Sequence, residues 1–212
     1  MERAIIYIKS ILIPVAIGII VGLLTSGAMD YEMLQKPFLA PAGIVFPIVW
    51  TILYVLMGVS YGILKENNQV DEEVKRIYYA QLVVNALWSF IFFVFKWRLL
   101  AFLWIILLGI LVIRMIIIFY KRNKIAGFLQ IPYIIWITFA AYLNLGFYIL
   151  NKWFTDGDRY TLKIFKVYVP FCKKKIIGIL QIPWQVIFFV LKSVILIKKE
   201  NWIRMEMIKN KK

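Results

Sequence analysis

The chain has 212 residues, 63% of them hydrophobic and 17% charged, with a mean hydropathy of +0.80. Soluble domains carry about 45–50% apolar and about 25% charged residues, so this composition excludes a water-soluble globule and places the chain in lipid. The net charge of +15 does not mark a nucleic-acid binder, because 14 basic against 4 acidic residues fall at or after Lys152, beside apolar runs where basic groups face anionic lipid.

A bilayer core about 30 Å thick takes roughly 20 apolar residues per helical span. Five runs qualify in chain order: 5–24, 44–64, 78–95, 99–119 and 126–150. The predicted fold is therefore an all-α integral membrane protein, a five-transmembrane-helix bundle over residues 1–152. A basic C-terminal extension, 153–212, follows, with a membrane-associated helix expected at 176–197. That last run is interrupted by Gln181, Pro183, Gln185 and Lys192, which suits a flat or re-entrant segment better than a full crossing. One internal echo links the two parts: Lys124-Ile125-x-Gly127-x-Leu129-Gln130-Ile131-Pro132 recurs as Lys175-Ile176-x-Gly178-x-Leu180-Gln181-Ile182-Pro183.

The stretch from Lys65 to Ile77, with Asn67, Asn68, Asp71, Glu72 and Glu73, reads as an aqueous loop. The remaining connections are short, so neighbouring spans run antiparallel. Arg3, Lys9, Lys65, Lys75, Arg76, Lys121, Arg122 and Lys124 then share one side, against Lys36, Lys96, Arg98 and Lys152 on the other. The positive-inside rule puts the N-terminus in the cytoplasm and Asn151 outside. Arg114 is the one ionised group well inside a main span; it lies six residues before Tyr120, about 9 Å along a helix, and is expected to reach toward the interface.

Polar and aromatic residues within spans are costly in hydrocarbon, so their spacing shows which faces turn inward. In the third run Gln81, Asn85, Trp88 and Phe92 form one helical stripe, as do Trp50, Tyr54, Met57 and Tyr61 in the second. Trp136, Ala140, Leu143, Asn144 and Phe147 do the same in the fifth. Such stripes serve helix packing, and together they also outline an aromatic-walled cavity for a flat, largely apolar ligand. Gly18-x-x-x-Gly22 and Gly58-x-x-x-Gly62 suit close helix approach. Histidine is absent and Cys172 is the single cysteine, which removes disulfides and imidazole metal sites. No span carries a general base or a carboxylate pair, so hydrolysis and ion-coupled transport are disfavoured.

The block Lys36-Pro37-Phe38-Leu39-Ala40-Pro41, followed by Val45-Phe46-Pro47-Ile48-Val49-Trp50-Thr51-Ile52-Leu53-Tyr54, resembles the tryptophan-rich sensory protein family, which includes the mitochondrial translocator protein. Gln81-x-x-x-Asn85-x-x-Trp88-Ser89 and Ile131-Pro132-Tyr133-x-x-Trp136-x-x-Phe139-Ala140-x-x-Leu143-Asn144 agree in order and spacing. The resemblance covers about residues 1–152 and leaves 153–212 unexplained. It implies a five-helix bundle, commonly a homodimer in the lipid bilayer, that binds porphyrins or other apolar small molecules; the tetrapyrrole is a ligand and not a cofactor.

By motif position the resemblance assigns Trp50, Tyr54, Gln81, Asn85, Trp88, Trp136, Phe139, Ala140 and Asn144 to the ligand pocket. Without histidine the pocket offers no usual axial ligand to haem, which favours a metal-free porphyrin. Some relatives are described as degrading porphyrin in light, and Trp136 is the candidate redox residue for that alternative. Leu39 stands where the family pattern has a tryptophan, which weakens it, and Trp104 stands where relatives often have an acid. A non-catalytic structural membrane protein is the third reading. Residue usage rich in Lys, Ile and Asn points to a bacterial plasma membrane.

Overall fold

The computed structural model describes residues 2–155, with side chains to Asn151, and the regular secondary structure of the described residues is entirely helical. The predicted extension 153–212 and its helix at 176–197 lie beyond the described side chains. Helix α1 spans Glu2–Ser26, α2 Val45–Glu66 and α3 Glu72–Ser89, the last continued by a π-helical turn over Phe90–Val94. Helix α4 spans Arg98–Arg122; a short α5, Lys124–Phe128, and α6, Ile131–Thr155, together make the fifth crossing. All five crossings are long and apolar enough to traverse a bilayer.

The main departure from expectation is the start of the third span. Helix α3 begins at Glu72, so half of the stretch expected as loop is helical. Asp71 caps it by accepting the Val74 N–H at 2.9 Å, and Glu72 and Glu73 sit at the positive end of the helix dipole. The Val74 bond, with Arg122 beside it, holds the Asp71 carboxyl below its ordinary range. The preceding helix ends in a Schellman turn: Asn68 adopts φ 54°, while Gln69 N–H donates to Leu64 O at 2.8 Å and Asn68 N–H to Lys65 O at 3.2 Å. Only five residues therefore separate α2 from α3.

Helices α1 and α2 pack as an antiparallel pair at glycine distances. Gly58 lies against the backbone of Ser10 and Ile11, Gly62 under the Tyr7 ring, and Gly18 under the Tyr54 ring. Pro14 lacks the N–H that would bond Ser10 O within α1, and that freed carbonyl is among the atoms facing Gly58. Arg3 and Tyr7 both reach Glu66 at the end of the pair, at 3.2 and 2.7 Å.

On the far side of the bundle, α4 packs between α3 and α6 through Ala101, Ile105, Leu108, Val112, Met115 and Phe119, each at most 1% exposed. Trp104 donates its indole N–H to Val84 O at 2.8 Å, so it serves as an α3–α4 tie. Asn123 caps α5, accepting from Ile125 and Ala126 N–H, and Ser60 of α2 donates to Ala126 O at 2.7 Å.

Candidate functional site: an aromatic cavity in one half of the bundle

The predicted stripes do turn inward, and they divide the bundle in two. In the half nearer the α2–α3 turn, Met57, Tyr61, Leu64, Tyr78 and Phe119 pack solidly, with Tyr61 and Tyr78 stacked at 4.3 Å. Above them a hydrogen-bonded chain crosses the bundle. Tyr54 donates to Asn85 Oδ1 at 3.3 Å, Asn85 Nδ2 donates to Tyr133 Oη at 2.7 Å, and Tyr133 donates to Gln81 Oε1 at 3.0 Å. Gln81 completes it with a contact to Met57 Sδ at 3.8 Å. All four polar side chains are at most 8% exposed, as buried polar groups without water require partners.

The other half encloses a cavity of about 770 Å³. Its walls are the Val15–Leu23 face of α1, Phe46, Trp50 and Tyr54 of α2, Asn85 and Trp88 of α3 with Phe92 just beyond it, and Trp136, Ala140, Leu143, Asn144 and Phe147 of α6. The rings pack edge to face around it: Tyr31 to Phe46 at 5.1 Å, Tyr31 to Phe147 at 5.5 Å, and Phe46 to Trp136 at 6.0 Å. Trp88 stacks on Phe92 at 5.3 Å and donates its indole N–H to Asn144 Oδ1 at 3.2 Å, while Asn144 Nδ2 donates to Ala140 O. The π-helical turn after α3 brings Phe92 and Phe93 to this wall. Ile19 and Leu23 of α1, Thr51 of α2 and Ile44 just before α2 border the cavity and are also exposed, so it reaches the outer surface between these two helices.

The segment 27–44 lies across the end of the cavity. Asp30 pairs with Arg98 at 2.8 Å and Lys96 at 3.4 Å, Gln35 and Asn151 exchange hydrogen bonds, and Tyr142 donates to Phe38 O at 2.6 Å. Tyr31 donates to Pro41 O, and burial pushes its phenol up from the ordinary value, so it stays neutral. Asp30 and Glu32, which lie outside every span, thereby border the cavity.

Seven of the nine residues assigned from the sequence border this space: Trp50, Tyr54, Asn85, Trp88, Trp136, Ala140 and Asn144. Gln81 stands one turn deeper, in the hydrogen-bonded chain, and Phe139 lies outside, its ring 5.6 Å from Trp136 and 6.2 Å from Tyr142. Leu39 is half exposed at φ 67° and does not border the cavity, so the position where the family pattern has tryptophan forms no wall here. Sequence reasoning left out Tyr133, although it falls three residues before Trp136 on the same stripe, and it left out the α1 wall.

A family model matches residues 10–150, that of the TspO/MBR family. A tryptophan-rich protein TspO from Archaeoglobus fulgidus is 38% identical over 147 residues, covering 68% of this chain and 95% of the relative. The chain belongs to the TspO/MBR family. Other relatives in the family are the protein CrtK of Rhodobacter capsulatus, 31% identical over 61% of this chain and 83% of the relative, and the translocator protein of Sus scrofa, 32% identical over 58% and 75%. The five apolar crossings and the bacterial and archaeal relatives make this TspO/MBR member an integral protein of a bacterial membrane.

The hydrogen-bonded chain gives one expected result. Asn85→Leu removes the acceptor of Tyr54 and the donor to Tyr133 at once. Interhelical hydrogen bonds in membranes contribute about 1–2 kcal/mol at most, so thermal unfolding in detergent should show a loss of that order. An unchanged midpoint would mean that the chain contributes nothing to holding α2, α3 and α6 together.

Proposed function

We propose that the chain is a membrane receptor or carrier that binds tetrapyrroles, or other flat apolar ligands, in the cavity between α1, α2, α3 and α6. Family membership supports a general role in binding apolar ligands, and the finer assignment rests on the cavity. Its volume falls within the roughly 300–1,000 Å³ usual for small-molecule sites. Its walls are aromatic faces with a few amide and indole groups, which suit stacking against a conjugated ring system. The opening between α1 and α2 gives such a ligand a route from the bilayer, where it partitions. The nine motif residues belong to this reading, seven as walls, with Gln81 and Phe139 as their supports. The functional boundary near residue 152 belongs to it as well, because the family match ends at 150 and every wall residue among the described ones precedes that point.

The observation that carries the proposal is the convergence of Trp50, Trp88 and Trp136 on one cavity. Protoporphyrin should therefore quench the tryptophan fluorescence of the purified protein at micromolar concentration. Trp136→Ala should weaken the affinity about tenfold, since stacked aromatic contacts are worth about 0.5–1.5 kcal/mol beyond the buried area. Absent quenching, or equal affinity in both proteins, would remove the cavity as the binding site. Analysing the ligand after illumination in air separates a binder, which returns it unchanged, from a degrading enzyme.

A further inference from the structure

We propose that the cytoplasmic end of α4 carries a specific site for an anionic phospholipid headgroup, centred on Arg114. The side chain is exposed on the outward face of α4, flanked by Ile110, Ile113 and Ile117, which are themselves 48–53% exposed. Among the described residues it has no ion pair. Position makes this costly. The midpoint of α4 is Ile110, so Arg114 lies roughly 6 Å past the centre and about 9 Å beneath the edge of a 30 Å hydrocarbon core. Helical Cβ atoms tilt toward the N-terminus, here toward the bilayer centre, and an arginine stem then spans only about 6 Å back toward water. On these lengths the guanidinium stops short of the interface, and a headgroup phosphate drawn inward would satisfy it.

Charge complementarity fixes the class of lipid. Lys121 lies seven residues on, along the same stripe, and Lys124 follows at the start of α5; both are exposed and neither is in an ion pair among the described residues. The carboxylates of the α2–α3 turn are engaged elsewhere: Glu66 with Arg3, Asp71 and Glu73 with Arg122, and Glu72 with Lys75. Among the described residues, three positive charges at the α4–α5 end of the bundle thus have no carboxylate partner, and there a headgroup with net negative charge is favoured over a zwitterionic one. Tyr120 and Phe128, packed edge to face at 5.3 Å, stand at the level of this corner.

Native mass spectrometry of the full chain, titrated separately with phosphatidylglycerol and phosphatidylcholine, tests the site. Arg114→Gln should retain one fewer phosphatidylglycerol and bind it about fivefold more weakly at that position, as expected for one basic group near the membrane surface. Lipids bound elsewhere on the chain are common to both proteins and cancel in the comparison. Arg114→Lys keeps the charge and should keep the adduct. Equal retention in wild type and Arg114→Gln would overturn the proposal, as would an equal loss of both lipids. A loss in Arg114→Lys matching that in Arg114→Gln would assign Arg114 to packing and overturn it too.

Discussion

Gly58→Leu should unseat α1 and lower the stability of the bundle by about 3 kcal/mol or more, the upper end of what overpacking costs in a close-packed core. A Cβ at this position would stand 2.4 Å from Ile11 Cα and 2.8 Å from Ser10 O, and both neighbours are backbone atoms that no rotamer change can move. The whole of α1 must therefore shift outward by an ångström or more. That shift also separates Gly62 from Tyr7 and strains the reach of Arg3 and Tyr7 to Glu66. Thermal unfolding in detergent should show the loss directly, and protoporphyrin quenching should fall with it, because α1 is one wall of the cavity. Gly22→Ala is the internal control: its Cβ would meet nothing within 4 Å, so its midpoint should stay near that of the wild type. Equal behaviour of the two variants would mean that α1 and α2 do not meet at the distances seen here.

The same contrast provides a test that leaves the fold intact. Gly22 borders the cavity with open space where its side chain would be. Gly22→Phe should project a ring into that space and reduce porphyrin affinity more than tenfold, with the unfolding midpoint unchanged or raised, since glycine is the poorer helix former by about 1 kcal/mol. Blocked binding in a stable protein would tie the ligand to this cavity. Unaltered binding would place the ligand elsewhere, whatever the result for Trp136→Ala.

The two glycines also show where sequence reading stops. Gly18-x-x-x-Gly22 and Gly58-x-x-x-Gly62 look alike as text, and both suggest close helix contact. Three of the four do make it, while Gly22 marks a void. Nothing along the chain distinguishes them, because the difference lies in what the neighbouring helix brings opposite. The start of α3 was open to better reading: Asp71 ahead of Glu72 and Glu73 is a capping pattern. Those residues look like loop because the apolar run begins only at Tyr78, and capping chemistry prevailed over hydropathy. Tyr133 was likewise within reach, on the stripe that already contained Trp136.

The five crossings and their inward faces were determined by the sequence itself, because hydrocarbon imposes length and periodicity locally, one helix at a time. A span must be long enough and must turn its amides and phenols away from lipid, and both requirements can be read from residues a few positions apart. The tertiary structure alone decided that α1 closes the cavity, that Asp30 and Tyr31 come from a connecting segment to lie across its end, and that Phe139 stays outside. Those outcomes depend on contacts between residues far apart in the chain, such as Asp30 with Arg98 and Tyr31 with Phe147. No local pattern encodes which of several apolar faces meets which.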